Sequence, residues 1–174
     1  DWNNDLSEVS SQASNGLLLS NHSYGYAVVD DEGVLQVQKH IIGKYTQDAA
    51  AWDNLMYQAP YYQMVNAAGN DREYQAAITN KAGYDLLAGH SVSKNAIVVA
   101  AAYEVANYTS ATSVSMSTFS NWGPTDDGRI KPDIAGKGVD VVIEDVETGP
   151  IEMSRQPALG DRHAHAIAQP LSQW

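Results

Sequence analysis

The sequence predicts an α/β fold, a mainly parallel sheet with helices on both faces. Three observations carry this. Two apolar runs, Leu17-Leu18-Leu19 and Ile97-Val98-Val99-Ala100-Ala101-Ala102, lack the alternation of a half-exposed strand. Parallel strands covered on both faces read this way. Between them, Thr46–Ala59 repeats with helical period, so helix and strand alternate as in βαβ units. Third, Met64-Val65-Asn66-Ala67-Ala68 is a short strand that stops at Gly69-Asn70. Strands are expected near residues 17–21, 62–67, 96–102 and 139–143.

In chain order, Asp5 to Gly16 reads as a helix. Leu6, Val9 and Ala13 share one face, Asp5 is an N-cap candidate with Glu8 three residues on, and Asn15-Gly16 ends it. Leu17 to Asn21 follows as a fully buried strand. Tyr26 to Thr46 reads as a hairpin-like excursion, with a turn at Asp30-Asp31-Glu32-Gly33 and alternation over Val34–Gln38. Thr46 is the cap candidate for the main helix, whose apolar face carries Ala49, Trp52, Leu55 and Met56, and Pro60 stops it. Asn70 to Leu87 is polar and aperiodic, hence loop, with Asp71-Arg72-Glu73 as a surface charge cluster of little energetic weight. Tyr103 to Ser115 is a Ser/Thr/Asn-rich loop or hairpin. Gly123-Pro124 and Asp126-Asp127-Gly128 are turns, and Lys131 to Gly136 leads into a strand through Val139–Ile143.

The 174 residues suit a single domain, and 44% apolar residues suffice for a core. The formal net charge of −11 argues against nucleic acid, which demands a basic face, and against an anionic membrane surface. Acidity fits solubility, secretion or calcium binding; a structural calcium ion stays open and no other cofactor is implied. There is no cysteine, so neither a disulfide nor a thiolate nucleophile is available. No apolar run approaches the ~18 residues of a membrane span. No signal peptide is visible at Asp1; if the parent protein is secreted, its targeting segment is expected upstream. Asn21-His22-Ser23 and Asn107-Tyr108-Thr109 match the glycosylation sequon, a short pattern of low specificity.

Ligands of open parallel sheets bind at the carboxyl ends of the strands. Asn70 stands at such an end, after a glycine that lets backbone approach closely, and its side-chain N–H suits a developing oxyanion. Gly-Asn also serves as ordinary turn punctuation. Other candidates are weaker. His22, beside a strand end, reads as a packing or hydrogen-bonding residue. His90 and Ser91 are neighbours in sequence, which does not align a base on a nucleophile. Asp30, Asp31 and Glu32 lack the ligand spacing of a calcium loop. Asp161, His163 and His165 would share one side only if their segment were a strand.

Three stretches in order carry a resemblance. They are Leu17-Leu18-Leu19-Ser20-Asn21-His22-Ser23-Tyr24-Gly25, then Ala67-Ala68-Gly69-Asn70, then Phe119-Ser120-Asn121-Trp122-Gly123-Pro124 with Lys131-Pro132-Asp133-Ile134-Ala135-Gly136. Together they resemble the subtilisin-like serine proteases (subtilases), more narrowly the secreted subtilases of environmental and gut bacteria. The resemblance covers about residues 1–143, leaving 144–174 as a tail of unassigned character. It implies a subtilisin-like fold and a peptide or protein substrate. It implies that Ser23, Tyr24 and Gly25 pair with the substrate backbone, that Ala67, Ala68 and Gly69 wall the specificity pocket, and that Asn70 is the oxyanion donor.

The departures are as informative. The family's Asp-Ser/Thr-Gly, His-Gly-Thr-His and Gly-Thr-Ser-Met-Ala-x-Pro motifs, which supply its triad, do not occur here. The nearest echo of the last, Gly149 to Pro157, has Glu152 before Met153, and its proline is one position late. The expectation is a partial subtilase domain, inactive by itself. The family's missing elements also cover the sheet, so an edge is expected to stand open, filled by a second chain, by a symmetry partner, or not at all. The alternative is a non-catalytic peptide-binding module that uses the Ser23–Gly25 edge.

Overall fold

In the computed structural model, which describes residues 4–79, 81–145 and 149–153, four strands form one parallel sheet in sequence order. They are β1 (Leu19–His22), β2 (Gln63–Ala67), β3 (Ile97–Ala102) and β4 (Ile134–Lys137). Helix α1 (Asp5–Ser14) precedes β1, and α2 (Gln47–Gln58) forms the crossover to β2. A short helix α3 (Gln75–Ile78) lies between β2 and β3. A separate antiparallel hairpin joins β5 (Val141–Asp145) to β6 (Gly149–Met153). The parallel α/β fold is the one expected.

Pairing sets the faces. His22 lies opposite Asn66, and Asn66 opposite Val98, so Ser20, His22, Met64, Asn66, Val98 and Ala100 share one side of the sheet. Trp52, Leu55 and Met56 of α2 pack there with Tyr62, Met64 and Ala96, and Leu6, Val9 and Ala13 of α1 close over them. Ala49 continues the layer with Ala68, Leu87, Val92, Val98 and Ala100. The periodic residues of both helices thus bury the faces that their spacing marks. Asn4, not Asp5, occupies the N-cap position of α1, and Thr46 occupies that of α2, but neither side chain makes a capping hydrogen bond.

Two strand expectations are corrected. Residues 17–21 do not form a fully buried strand: Leu18 is 62% and Leu19 39% exposed, because β1 is an edge of the sheet. The fourth sheet strand is Ile134–Lys137, not 139–143. Asp133 starts it by accepting the Val98 N–H at 2.7 Å, Gly138 N donates to Ala102 O, and Asp140, at φ +50°, turns the chain away. The excursion after Tyr26 keeps a single bridge, Val29 to Leu35. The Asp30 carboxylate there is taken by Glu32 N, Val34 N and the Gln36 amide. The echo motif lies partly in β6; its residues 154–157 lie outside the described residues, as do Asp161, His163 and His165.

One buried side chain holds α2 to the sheet. Asp53, 7% exposed, accepts Lys94 N at 2.9 Å, Asn95 N at 2.8 Å and the Tyr45 hydroxyl at 2.7 Å. Bonds to a charged acceptor contribute more than neutral ones, and buried donors left unmet are costly. Asp53→Ala is expected to lower stability by about 3 kcal/mol in urea unfolding, with Asp53→Asn losing less. A loss under about 1 kcal/mol for the alanine variant would show that water replaces the carboxylate.

Candidate functional site

β1 and β2 end level with each other, so the segments that follow them leave the sheet side by side. Between them lies a cleft with about 500 Å³ of empty space, open to solvent. Tyr24 and Gly25 line one side, and Ala67, Ala68, Gly69 and Asn70 line the other. Six of the seven residues expected at the site therefore meet in one place. Ser23 does not line the cleft; its hydroxyl accepts from the Asn21 amide at 3.0 Å. Tyr26, Ala27, Val28, Asn66, Asp71, Ala88, His90, Ser91 and Asn121 complete the lining, and sequence reasoning assigned none of these to the site.

Asp71 is the clearest correction. It is 6% exposed, not part of a surface charge cluster. Its backbone N–H donates to Asn121 Oδ1 at 2.7 Å, and Asn121 Nδ2 donates to its carboxylate at 2.9 Å. Arg72 is drawn inward as well: it donates to the carbonyls of Ser117 and Ser120 and stacks 3.9 Å above the Trp122 ring. Only the position of Asp71, directly after a strand-end turn, hinted at this. At Gly69 a φ of +105° and the adjacent Asn121 amide leave no room for a side chain.

Behind the Tyr24 wall lies a buried polar chain. His22 is 3% exposed. Its Nδ1 bonds the Tyr24 hydroxyl at 2.6 Å and its Nε2 bonds Ser20 Oγ at 2.6 Å, while Ser20 Oγ meets the Tyr62 hydroxyl at 2.6 Å. The Tyr24 hydroxyl also bonds the Asp5 carboxylate, which with burial pushes the phenol's pKa up. Trp52 meets the His22 ring edge-on at 5.0 Å. His90 donates from Nε2 to the Tyr24 carbonyl at 3.0 Å, so Tyr24 is held at both ends. As expected, His90 and Ser91 form no dyad: the Ser91 hydroxyl donates to Ala88 O at 2.6 Å. Among the described residues no three His, Asp or Glu side chains gather as a metal site.

Burial lowers the pKa of His22 to about 4; a charge on His90 would push it further down, and Asp5 opposes. Burial also lowers His90, against the pull of the Tyr24 carbonyl, Asp48 and Asp5. An unfolded histidine titrates near 6.5, so between pH 6.5 and 4 the unfolded chain binds the extra proton. The stability from neutral His22 is complete above about pH 6.5 and is lost as the pH falls through that window, a drop of about 2 to 3 kcal/mol. Urea midpoints measured across this range should fall, and His22→Gln should flatten the slope. Unchanged wild-type midpoints would mean that His22 is solvated.

No curated protein matches the chain. The model of the subtilase family matches residues 3–166, a span holding α1, every strand and the whole cleft. With nearly its full length so matched, and with its strand-end residues gathered around one cleft, the chain belongs to the subtilase family of serine peptidases.

Proposed function

We propose that this chain is the substrate-binding part of a secreted bacterial subtilisin-like endopeptidase domain. What carries the reading is the meeting of Tyr24, Gly25, Ala67, Ala68, Gly69 and Asn70 in one cleft at the strand ends. A peptide would lie extended along Ser23, Tyr24 and Gly25, adding a strand through main-chain hydrogen bonds. One of its side chains would enter beside Ala67, Ala68 and Gly69. The Asn70 amide would donate to the carbonyl oxygen as negative charge develops on it, a contact worth on the order of 10²–10³ in rate.

Among the described residues no serine of this cleft is set against a base; the Ser91 hydroxyl in its lining donates to Ala88 O. A serine–histidine hydrogen bond exists between Ser20 and His22, but it lies under Trp52 and outside the cleft lining. A general base works best with a pKa near the working pH, and His22 is held at about 4. The nucleophile and base would come from the family's triad motifs, which this sequence does not contain. A structural calcium ion and a second chain along the open edge remain compatible with this reading. No described helix is long and apolar enough to cross a membrane.

A second reading is a non-catalytic peptide-binding module, favoured by a cleft that is kept where the triad is not. Treatment with a fluorophosphonate probe, alongside calorimetry with extended peptides, tests both. The expected result is peptide binding without covalent label. Label on Ser20 or any other serine would overturn the inactivity, and no binding by any peptide would overturn the cleft assignment. If a chain carrying the three triad motifs restores hydrolysis when added, the endopeptidase reading holds. If binding persists without hydrolysis, the module reading does.

A further inference from the structure

We propose that Asn121 is a positioning residue for the Asn70 turn, clamping the peptide groups on both sides of Asn70. The proposal rests on Asn70 being the oxyanion donor of the cleft. The Asn121 N–H donates to Gly69 O at 2.9 Å, the carbonyl of the peptide entering Asn70. Asn121 Oδ1 accepts the Asp71 N–H at 2.7 Å, the amide of the peptide leaving Asn70. Both peptide groups that flank Asn70 are thus tied to one residue, which restricts the backbone torsions of Asn70.

The rest of the Asn121 amide ties this turn to its surroundings. Nδ2 donates to the Asp71 carboxylate at 2.9 Å and to Leu86 O at 3.2 Å. The other oxygen of Asp71 accepts Val29 N at 3.4 Å, just beyond the cleft wall at Tyr26–Val28. Asn121 and Asp71 are 2% and 6% exposed, so these bonds form away from bulk water. The position needs one acceptor and two donors on a planar group, which asparagine alone among side chains of this length provides. Aspartate has no donor, and leucine has neither. Gly69 completes the device, since a Cβ there would strike the Asn121 amide. Preorganisation of this kind is what makes an oxyanion donor effective.

A merely structural Asn121 would alter global stability without singling out this turn. Two readouts on the free, intact chain separate the roles by NMR. One is hydrogen exchange at the Asp71 amide compared with the Val98 and Ala100 amides of β3. The other is the order parameter of the Asn70 side-chain amide. Asn121→Asp sets two carboxylates against each other and should speed Asp71 exchange at least tenfold relative to β3, with a fall in Asn70 order. Asn121→Leu should do the same. The reciprocal pair Asp71→Asn with Asn121→Asp again sets a donor against an acceptor, and should return most of the protection and order. If both single variants keep wild-type Asp71 protection and Asn70 order relative to β3, or if the reciprocal pair restores neither, the proposal is overturned. These measurements need no peptide. A wild-type chain that binds no peptide therefore overturns the function proposed above while the clamp is still read independently.

Discussion

Everything at the candidate site follows from the parallel register of β1 and β2. Leu19 pairs with Gln63 and His22 with Asn66, so both strands end at one level and release their next residues on the same edge. Had β2 run antiparallel, Ser23–Gly25 and Ala67–Asn70 would lie at opposite ends of the sheet. Beyond this pair, polar contacts tie the covering helix and the next two strands together. Asp53 fixes α2 to the turn before β3. Lys131, 6% exposed, donates to Ala96 O at 2.7 Å and pairs with Asp133 at 2.6 Å, while Asp133 accepts Val98 N. The Lys-Pro-Asp stretch thus pairs a buried lysine with a carboxylate at the surface and starts β4 beside β3.

The interior beneath the cleft is more polar than the strand sequences suggest. Ser20, His22, Tyr24 and Tyr62 form one bonded chain where an ordinary core would carry aliphatic side chains. Such a network specifies a single arrangement when satisfied and is costly when broken. It fixes the Tyr24 ring, and His90 fixes the Tyr24 carbonyl. The same burial that makes His22 useful as a support lowers its pKa and makes it a poor base. Short serine–histidine contacts therefore do not by themselves identify a catalytic pair; exposure and basicity decide.

How much of this was legible depended on the range of the interactions. α1, α2, β2 and β3 were readable because period and end signals are local, and the Gly69-Asn70 turn was locatable for the same reason, although such a pair is also ordinary turn punctuation. The exposure of Leu18 and Leu19 was not, because an edge strand and a central strand can have the same apolar run. The place of β4 was missed for a similar reason: Ile134–Lys137 is short, and it is chosen by Asp133 reaching Val98, 35 positions earlier. Asp71 and Asn121 lie 50 positions apart, and Tyr24 and His90 lie 66 apart. Nothing in the composition around either member announces such a partner.

These long-range contacts also separate binding from chemistry in physical terms. The cleft walls are fixed by Asp71, Asn121, His22 and His90, all within the described fold. The attacking and proton-accepting groups of the family come from other motifs. The two functional readings proposed above therefore share one geometry. What differs between them is whether the triad groups are brought to Asn70 from elsewhere, since an oxyanion donor accelerates a reaction only where a nucleophile attacks beside it.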